Sequence, residues 1–255
     1  MSDVQVQLVG AGPGPVDLMT MRAVRAVEGA QALLYDALIS EEAIALAPPG
    51  CVRIQTGKRA GKPSMHQDEI NRLMLLLARK GLRVVRLKGG DPSIFGRVGE
   101  EAEFLRGHGV SVAVVPGVTA ACAAAAQFNF PLTHRGEARR VVFTTARLEA
   151  GKLSGDWSAA GDLEATMAVY MGGEVAGALA ERMIAAGRSP DTPAVAVEQA
   201  GGADARLYRA TLVTLADRLA ETGGGPVLIV VGPVAAQAHD SRSLDQDLDA
   251  LALRA

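Results

Sequence analysis

The sequence predicts an α/β fold in two parts, and three features predict it. Short apolar, β-branched runs alternate with helical patterns along 255 residues, the signature of sheets covered by helices. Glycine-rich turns close several of these runs, at Gly10-Ala11-Gly12-Pro13-Gly14-Pro15 and at Gly89-Gly90-Asp91-Pro92. The alternation halts at the Pro- and Gly-bounded segment Phe130-Pro131-Leu132-Thr133-His134-Arg135-Gly136 and restarts beyond it. Two α/β domains follow, residues 1–133 and 134–255, the second ending in a short polar tail.

Residues 4–9 (VQVQLV) alternate as a strand does and open into the first glycine cluster. A helical pattern then runs through Leu18, Met21, Val24, Ala26 and Val27. Residues 32–35 form a short apolar run ending on Asp36, and residues 52–55 another that enters TGKRAGK. Residues 67–80 read as an amphipathic helix with Ile70, Leu73, Met74 and Leu77 on one face and Gly81 as its stop. Next come the strand that halts at Lys88-Gly89-Gly90-Asp91-Pro92, a helix near 99–108 and a strand over 110–115. Pro116-Gly117-Val118-Thr119 leads into the small-residue helix AACAAAAQ. This order predicts a parallel sheet with helices on both faces. Beyond the break, strands are expected at 140–145, 166–171, 194–198, 207–211 and 227–231, with helices at 174–186 and 212–221. Residues 148–164 read as a surface excursion, and the tail from His239 carries no chemistry.

Composition narrows the function. A net charge of -2 argues against a general polyanion binder such as a nucleic-acid-binding protein, while leaving room for local basic patches. Cys51 and Cys122 form neither a zinc pattern nor a disulfide framework, which suits a reducing cytoplasm. His66, His108, His134 and His239 lack metal-ligand spacing, so no metal is expected. No apolar run reaches about 18 residues, so neither secretion nor a membrane is expected. The Walker loop and the GxSxG elbow are absent. An NAD(P) oxidoreductase is disfavoured because Pro15 stands where the dinucleotide fingerprint ends on Gly or Ala.

Two glycines after a strand let backbone approach a ligand where a Cβ would collide. Pro92 pushes Asp91 away from helical geometry and holds it at the strand's carboxyl end, where open α/β sheets bind ligands. A surface turn with solvated charges is the alternative. Basic groups recur near other strand ends and linkers, at Lys58, Arg59, Lys62, Lys88, Arg97, His134-Arg135 and Arg139-Arg140. In a nearly neutral protein they suit a substrate carrying many carboxylates or phosphates.

Taken in order, VQLVGAGPGPVDLMTMRAVRAV, LLYDALIS, TGKRAGK, VVRLKGGDPSIFGRVGEE, VVPGVTAACAAAA and PLTHR resemble the uroporphyrinogen III C-methyltransferases, S-adenosylmethionine-dependent members of the tetrapyrrole methylase family. The resemblance is dense over residues 4–135 and looser through AVYMGG, GRSPDTPAVAVEQ and PVLIVVG. It implies the tetrapyrrole methylase fold, with the active site in the cleft between two α/β domains, and a homodimer. The implied reaction is double methylation of uroporphyrinogen III to precorrin-2 through precorrin-1, for cobalamin, sirohaem or related tetrapyrroles. S-adenosyl-L-homocysteine is the co-product and no metal takes part. Pro13, Gly89, Gly90, Asp91, Ile94, Thr119, Ala120, Met171 and Ala200 are implied to line the donor site. Asp36 and Lys58 match residues proposed as proton acceptor and donor. Arg97, Glu100, Arg135 and Met171 match positions linked to the tetrapyrrole. Three departures are Ala200 and Val98, where glycine is usual, and Thr145-Ala146-Arg147, where a Gly-His pair is common. A stand-alone methyltransferase is expected, since no dehydrogenase/chelatase-like segment precedes the motifs. Methylation of a later corrin intermediate and non-catalytic tetrapyrrole binding are the alternatives.

Overall fold

The computed structural model describes residues 4–57, 65–146, 148–149, 152–153 and 157–240. It divides into two compact units, Met1–Thr119 and Ala120–Ala255.

The first unit is built on β1 (Val6–Gly10), α1 (Met21–Glu28), β2 (Ala32–Tyr35), α2 (Glu41–Ala45), β3 (Val52–Gln55), α3 (Gln67–Arg79), β4 (Val84–Lys88), α4 (Val98–Gly107) and β5 (Val112–Val115). Its sheet has the order β3-β2-β4-β1-β5, and every pairing is parallel. Because side chains alternate across a strand, each strand feeds two cores. Val9, Leu33, Val85 and Leu87 pack with Ala23, Ala26 and Val27 of α1 and Ala43 of α2. On the other face, Val6, Leu8, Leu34 and Val84 pack with Ile70, Met74 and Leu77 of α3 and Ala102 and Leu105 of α4. Each fully buried aliphatic side chain contributes about 1.5–3 kcal/mol. Local caps agree with this arrangement. Thr20 and Ser40 accept the Ala23 and Ala43 amides at the starts of α1 and α2, and Gly81 leaves α3 at a φ of 77°.

The second unit comprises α5 (Ala120–Gln127), β6 (Arg140–Thr145), β7 (Leu148–Glu149), β8 (Lys152–Leu153), β9 (Ala165–Tyr170), α6 (Ala176–Ala185), β10 (Pro193–Glu198), β11 (Arg206–Thr211), α7 (Leu215–Leu219) and β12 (Val227–Val231). Its main sheet has the order β11-β10-β12-β9-β6. Only β6 and β9 pair in parallel; the other three pairings are antiparallel. The β7–β8 hairpin lies within the expected excursion. One core joins Met167, Val169, Ala196 and Ile229 to Leu179 and Met183 of α6 and Leu215 of α7. The opposite core joins Ala168, Val195, Val197 and Val230 to Ala121 and Ala124 of α5 and to Phe128 and Phe130.

That second core explains where the units divide. The expected boundary lay after Thr133, but α5 buries its alanines against β9, β10 and β12 and so belongs with the second unit. Alanine repeats give no periodic signal for which sheet a helix covers. Among the described residues, no helix is long and apolar enough to cross a membrane.

Candidate functional site

In a parallel sheet every strand's carboxyl end lies on one edge. The cluster after β1, Asp36 after β2, Thr56-Gly57 after β3, Gly89-Gly90-Asp91 after β4 and Pro116-Gly117 after β5 therefore share that edge. Three of these turns are knitted through backbone. Gly12 donates to the Gly90 carbonyl at 3.2 Å and Gly90 to the Gly12 carbonyl at 2.7 Å, while Ala11 donates to the Lys88 carbonyl at 2.8 Å. A Cβ on Gly10 would sit 2.6 Å from the Gly90 carbonyl oxygen and 2.7 Å from Gly117 Cα. Gly90 has a φ of 67°. These glycines are required by the fold itself. Gly89 differs: it is exposed, and a Cβ there would meet nothing within 4 Å. Open space beside it is what an approaching ligand needs. The dinucleotide arrangement, disfavoured by Pro15, meets a second obstacle, because α1 begins only at Met21 rather than on the glycines.

Asp91 braces this edge. Its Oδ2 accepts the Gly117 amide at 2.9 Å, and its Oδ1 accepts the Ser93 amide at 2.8 Å and the Ser93 hydroxyl. Burial pushes its carboxyl pKa up, but the Ser93 and Gly117 donors outweigh burial and hold it below the ordinary value. The carboxylate thus acts as a strut between the turns after β4 and β5. Ile94 donates its amide to the Asp91 carbonyl at 3.2 Å. Pro13 and Ile94 are half-buried and Thr119 is buried. Beyond Ile94 the chain takes positive φ at Phe95 (53°) and Arg97 (56°). Such strain in non-glycine residues clusters at functional sites.

Arg97 and Glu100 are brought together. The guanidinium holds the carboxylate through Nε–Oε1 at 3.0 Å and Nη2–Oε2 at 2.5 Å, with side chains 54% and 56% exposed. That hydrogen bonding lowers the Glu100 pKa. A bidentate, solvent-facing pair presents both signs to an incoming polyanion. Val98 begins α4 and packs against the α3–α4 core, so the side chain has a place where glycine is usual.

Beneath the same edge lies a charge cluster that the sequence reading did not anticipate. Arg86 and Lys88 are buried on the α3–α4 face of β4, and Glu101 of α4 is 0% exposed. Glu101 Oε1 receives Lys88 Nζ at 2.9 Å, Gln67 Nε2 at 3.0 Å and Arg86 Nε at 3.4 Å. Arg86 Nη2 reaches Asp36 Oδ1 at 2.5 Å, and Thr56 Oγ1 donates to the same oxygen at 3.2 Å. Burial and the Arg86 charge pull the Lys88 ammonium below its ordinary pKa, against Glu101 and Asp36. Glu101 Oε2 is buried with no hydrogen-bond partner. Lys88 and Glu101 are therefore interior ion-pair members, so Lys88 is neither among the basic groups facing a polyanionic substrate, where it was expected, nor a solvated charge of a surface turn. The period of two along β4 was the available signal, since it sets Arg86 and Lys88 on the face of Val84. Lys58 lies outside the described residues.

In the second unit, Ala120, Met171 and Ala200 lie toward the edge where β9 and β10 end. Arg135 precedes β6, whose start lies at the opposite edge, so the sheet does not bring Arg135 together with them. The Tyr170 hydroxyl accepts the Ala121 amide at 3.2 Å, tying the first turn of α5, next to Ala120, to the end of β9. Met171 follows, 60% exposed and at a φ of 57°. Ala200, just past β10, is 8% exposed and packs in the core with Ala121, Val197 and Ala205. Its methyl group is turned inward, so alanine replaces the usual glycine without obstructing the outer side of the turn. Arg135 sits exposed in a tight turn closed by paired His134 and Ala138 backbone bonds at 2.9 Å. Thr145 Oγ1 is buried without a partner and Ala146 joins the core, while Arg147 lies outside the described residues.

Comparison with known proteins places these features. Residues 5–216 match the family model described as Tetrapyrrole (Corrin/Porphyrin) Methylases. A siroheme synthase of Tolumonas auensis is 44% identical over 234 residues, covering 92% of this chain and 50% of that protein. One from Neisseria meningitidis serogroup C is 44% identical over 229 residues, covering 90% and 48%. The chain thus spans about half the length of the curated relatives it matches. Among solved structures, the uroporphyrin-III C-methyl transferase of Thermus thermophilus complexed with S-adenyl homocysteine is 39% identical, with a TM-score of 0.77 and coverage of 90% and 92%. A cobalt precorrin-4 methyltransferase is 31% identical, with a TM-score of 0.80 and coverage of 90% and 95%.

Proposed function

The chain belongs to the tetrapyrrole methylase family, and from that premise we propose that it methylates uroporphyrinogen III twice with S-adenosylmethionine, giving precorrin-2 by way of precorrin-1. One observation carries the reading: the described turns of the resemblance after β1, β2, β3, β4 and β5 all leave one parallel sheet along a single edge, the third being described as far as Gly57. The higher identity to the uroporphyrin-III enzyme than to the precorrin-4 enzyme, 39% against 31%, supports this acceptor.

When bound, S-adenosylmethionine supplies an electrophilic methyl group to a nucleophilic pyrrole carbon of the acceptor. The chain's residues position, shield and move protons. Open space at Gly89 and the exposed, strained Met171 fit a bound donor. Pro13, Gly89, Gly90, Asp91, Ile94, Thr119, Ala120, Met171 and Ala200 hold it, Asp91 acting through the Gly117 amide that it fixes. Arg97, Glu100 and Arg135, with Met171, engage the tetrapyrrole, and the guanidinium groups meet its carboxylates. Proximity and alignment supply most of the acceleration. Asp36, its Oδ1 held by Arg86 and Thr56, accepts the proton released as the methylated ring rearranges, and Lys58 donates one. The assembly is a homodimer.

The test is anaerobic incubation of the protein with uroporphyrinogen III and S-adenosylmethionine, read by mass spectrometry. A doubly methylated product is expected. No product, with methylation of a precorrin-4-type acceptor instead, would transfer the reading to that later step. Binding of the macrocycle without turnover would make the chain a carrier.

A further inference from the structure

The turn after β10 is held by more contacts than a surface turn needs. Gln199 sits at a φ of 54° and Gly201 at 87°. Gln199 donates its amide to the Pro226 carbonyl at 2.9 Å, and Gly202 donates to the Gln199 carbonyl at 2.8 Å. Just before the turn, buried Glu198 accepts the Gly225 amide at 2.9 Å and the Tyr208 hydroxyl at 3.1 Å.

The most informative contact comes from the last residue of α5. Gln127 Oε1 accepts the Gly201 amide at 2.9 Å, and Gln127 Nε2 donates to the Gly202 carbonyl at 2.9 Å. One carboxamide thus satisfies a donor and an acceptor on successive residues, and a flipped amide would face both with the wrong group. A left-handed non-glycine residue costs on the order of 1–3 kcal/mol and persists where its surroundings over-determine it. Ala200 stands between the strained Gln199 and the clamped Gly201, its methyl group committed to the core. The conformation of its outward peptide groups is therefore set by Gln127.

We propose that Gln127 is a positioning residue for the methyl donor: its carboxamide holds the backbone of residues 200–202 in the receiving conformation before the donor arrives. The proposal rests on Ala200 belonging to the donor site. Fixing a loop in advance removes the ordering cost from binding.

Calorimetric titration of the full chain with S-adenosyl-L-homocysteine tests this, in the wild type, Gln127→Met and Gln127→Glu. Methionine keeps the volume and loses both bonds. Glutamate keeps the acceptor for Gly201 and sets an oxygen against the Gly202 carbonyl. Affinity should fall about tenfold in Q127M, the equivalent of about one net hydrogen bond, and at least as far in Q127E. The KM for S-adenosylmethionine should rise in step, with the tetrapyrrole KM unchanged. Unaltered homocysteine affinity in both variants overturns the proposal. So does an equal rise in both KM values with a fallen melting temperature, which marks a purely structural residue. A wild type that does not bind S-adenosyl-L-homocysteine overturns the donor reading, and this inference with it.

Discussion

Glu100 and Glu101 are neighbours in the first turn of α4, yet the protein uses them in opposite ways. Glu100 lies in solvent, gripped by Arg97, whereas Glu101 is 0% exposed and shared by Lys88, Arg86 and Gln67. One step along a helix turns a side chain by about 100°, which here separates a solvent-facing surface from the interior beneath the sheet edge. An exposed ion pair contributes little to stability and can be given over to a substrate. A buried one must stay complete, because removing a partner strands a charge in low dielectric.

The largest effect expected from this contrast is on folding. Glu101→Ala should destabilise the protein by about 3–5 kcal/mol, read in chemical denaturation, since Lys88 loses its ion-pair partner and Arg86 one of two. A loss below about 1 kcal/mol, the range of surface pairs, would break the comparison.

The glycines repeat the contrast. Gly10→Ala drives a methyl group into the backbone of Gly90 and Gly117 and should cost about 1–3 kcal/mol by overpacking. Gly89→Ala has open space around it, so it should leave the melting temperature unchanged while weakening S-adenosyl-L-homocysteine binding. Equal destabilisation by both would remove the distinction between fold glycines and ligand glycines.

Arg97→Ala sharpens the exposed side. Tetrapyrrole affinity should fall by about tenfold, as for one lost charge-assisted hydrogen bond, with the melting temperature and donor affinity preserved. Matching losses for both ligands would argue against Arg97 facing the acceptor.

The smallest expected effect concerns Asp91. A carboxyl depressed in the folded state stabilises fully above its unfolded value of 3.8 and loses that contribution as pH falls through the lower folded value. The stability difference between wild type and Asp91→Asn should therefore stay constant above about pH 3.8 and shrink below it. A difference unchanged through the acid range would mean that Asp91 is no strut.

Much of the first unit was legible because its strands are short, apolar and punctuated by glycine and proline. The observed β2 and β3 coincide with the expected runs at 32–35 and 52–55. In the second unit the strands were found, but not their directions: β10, β11 and β12 give the same apolar signal whether parallel or antiparallel. Of the candidate site, the motif residues at strand ends were readable. The roles of Arg86, Glu101 and Gln127 were not, because each acts through a partner distant in sequence, up to 75 positions for Gln127 and Gly202.

By itself the sequence determined the kinds of elements, their order and the family, since periodicity, turn chemistry and ordered motifs are local properties of the chain. Only the tertiary structure decided which sheet α5 covers, which charges are buried and which glycine is open. Burial and charge pairing depend on what the rest of the chain brings alongside a residue, and Glu100 and Glu101 differ in nothing else.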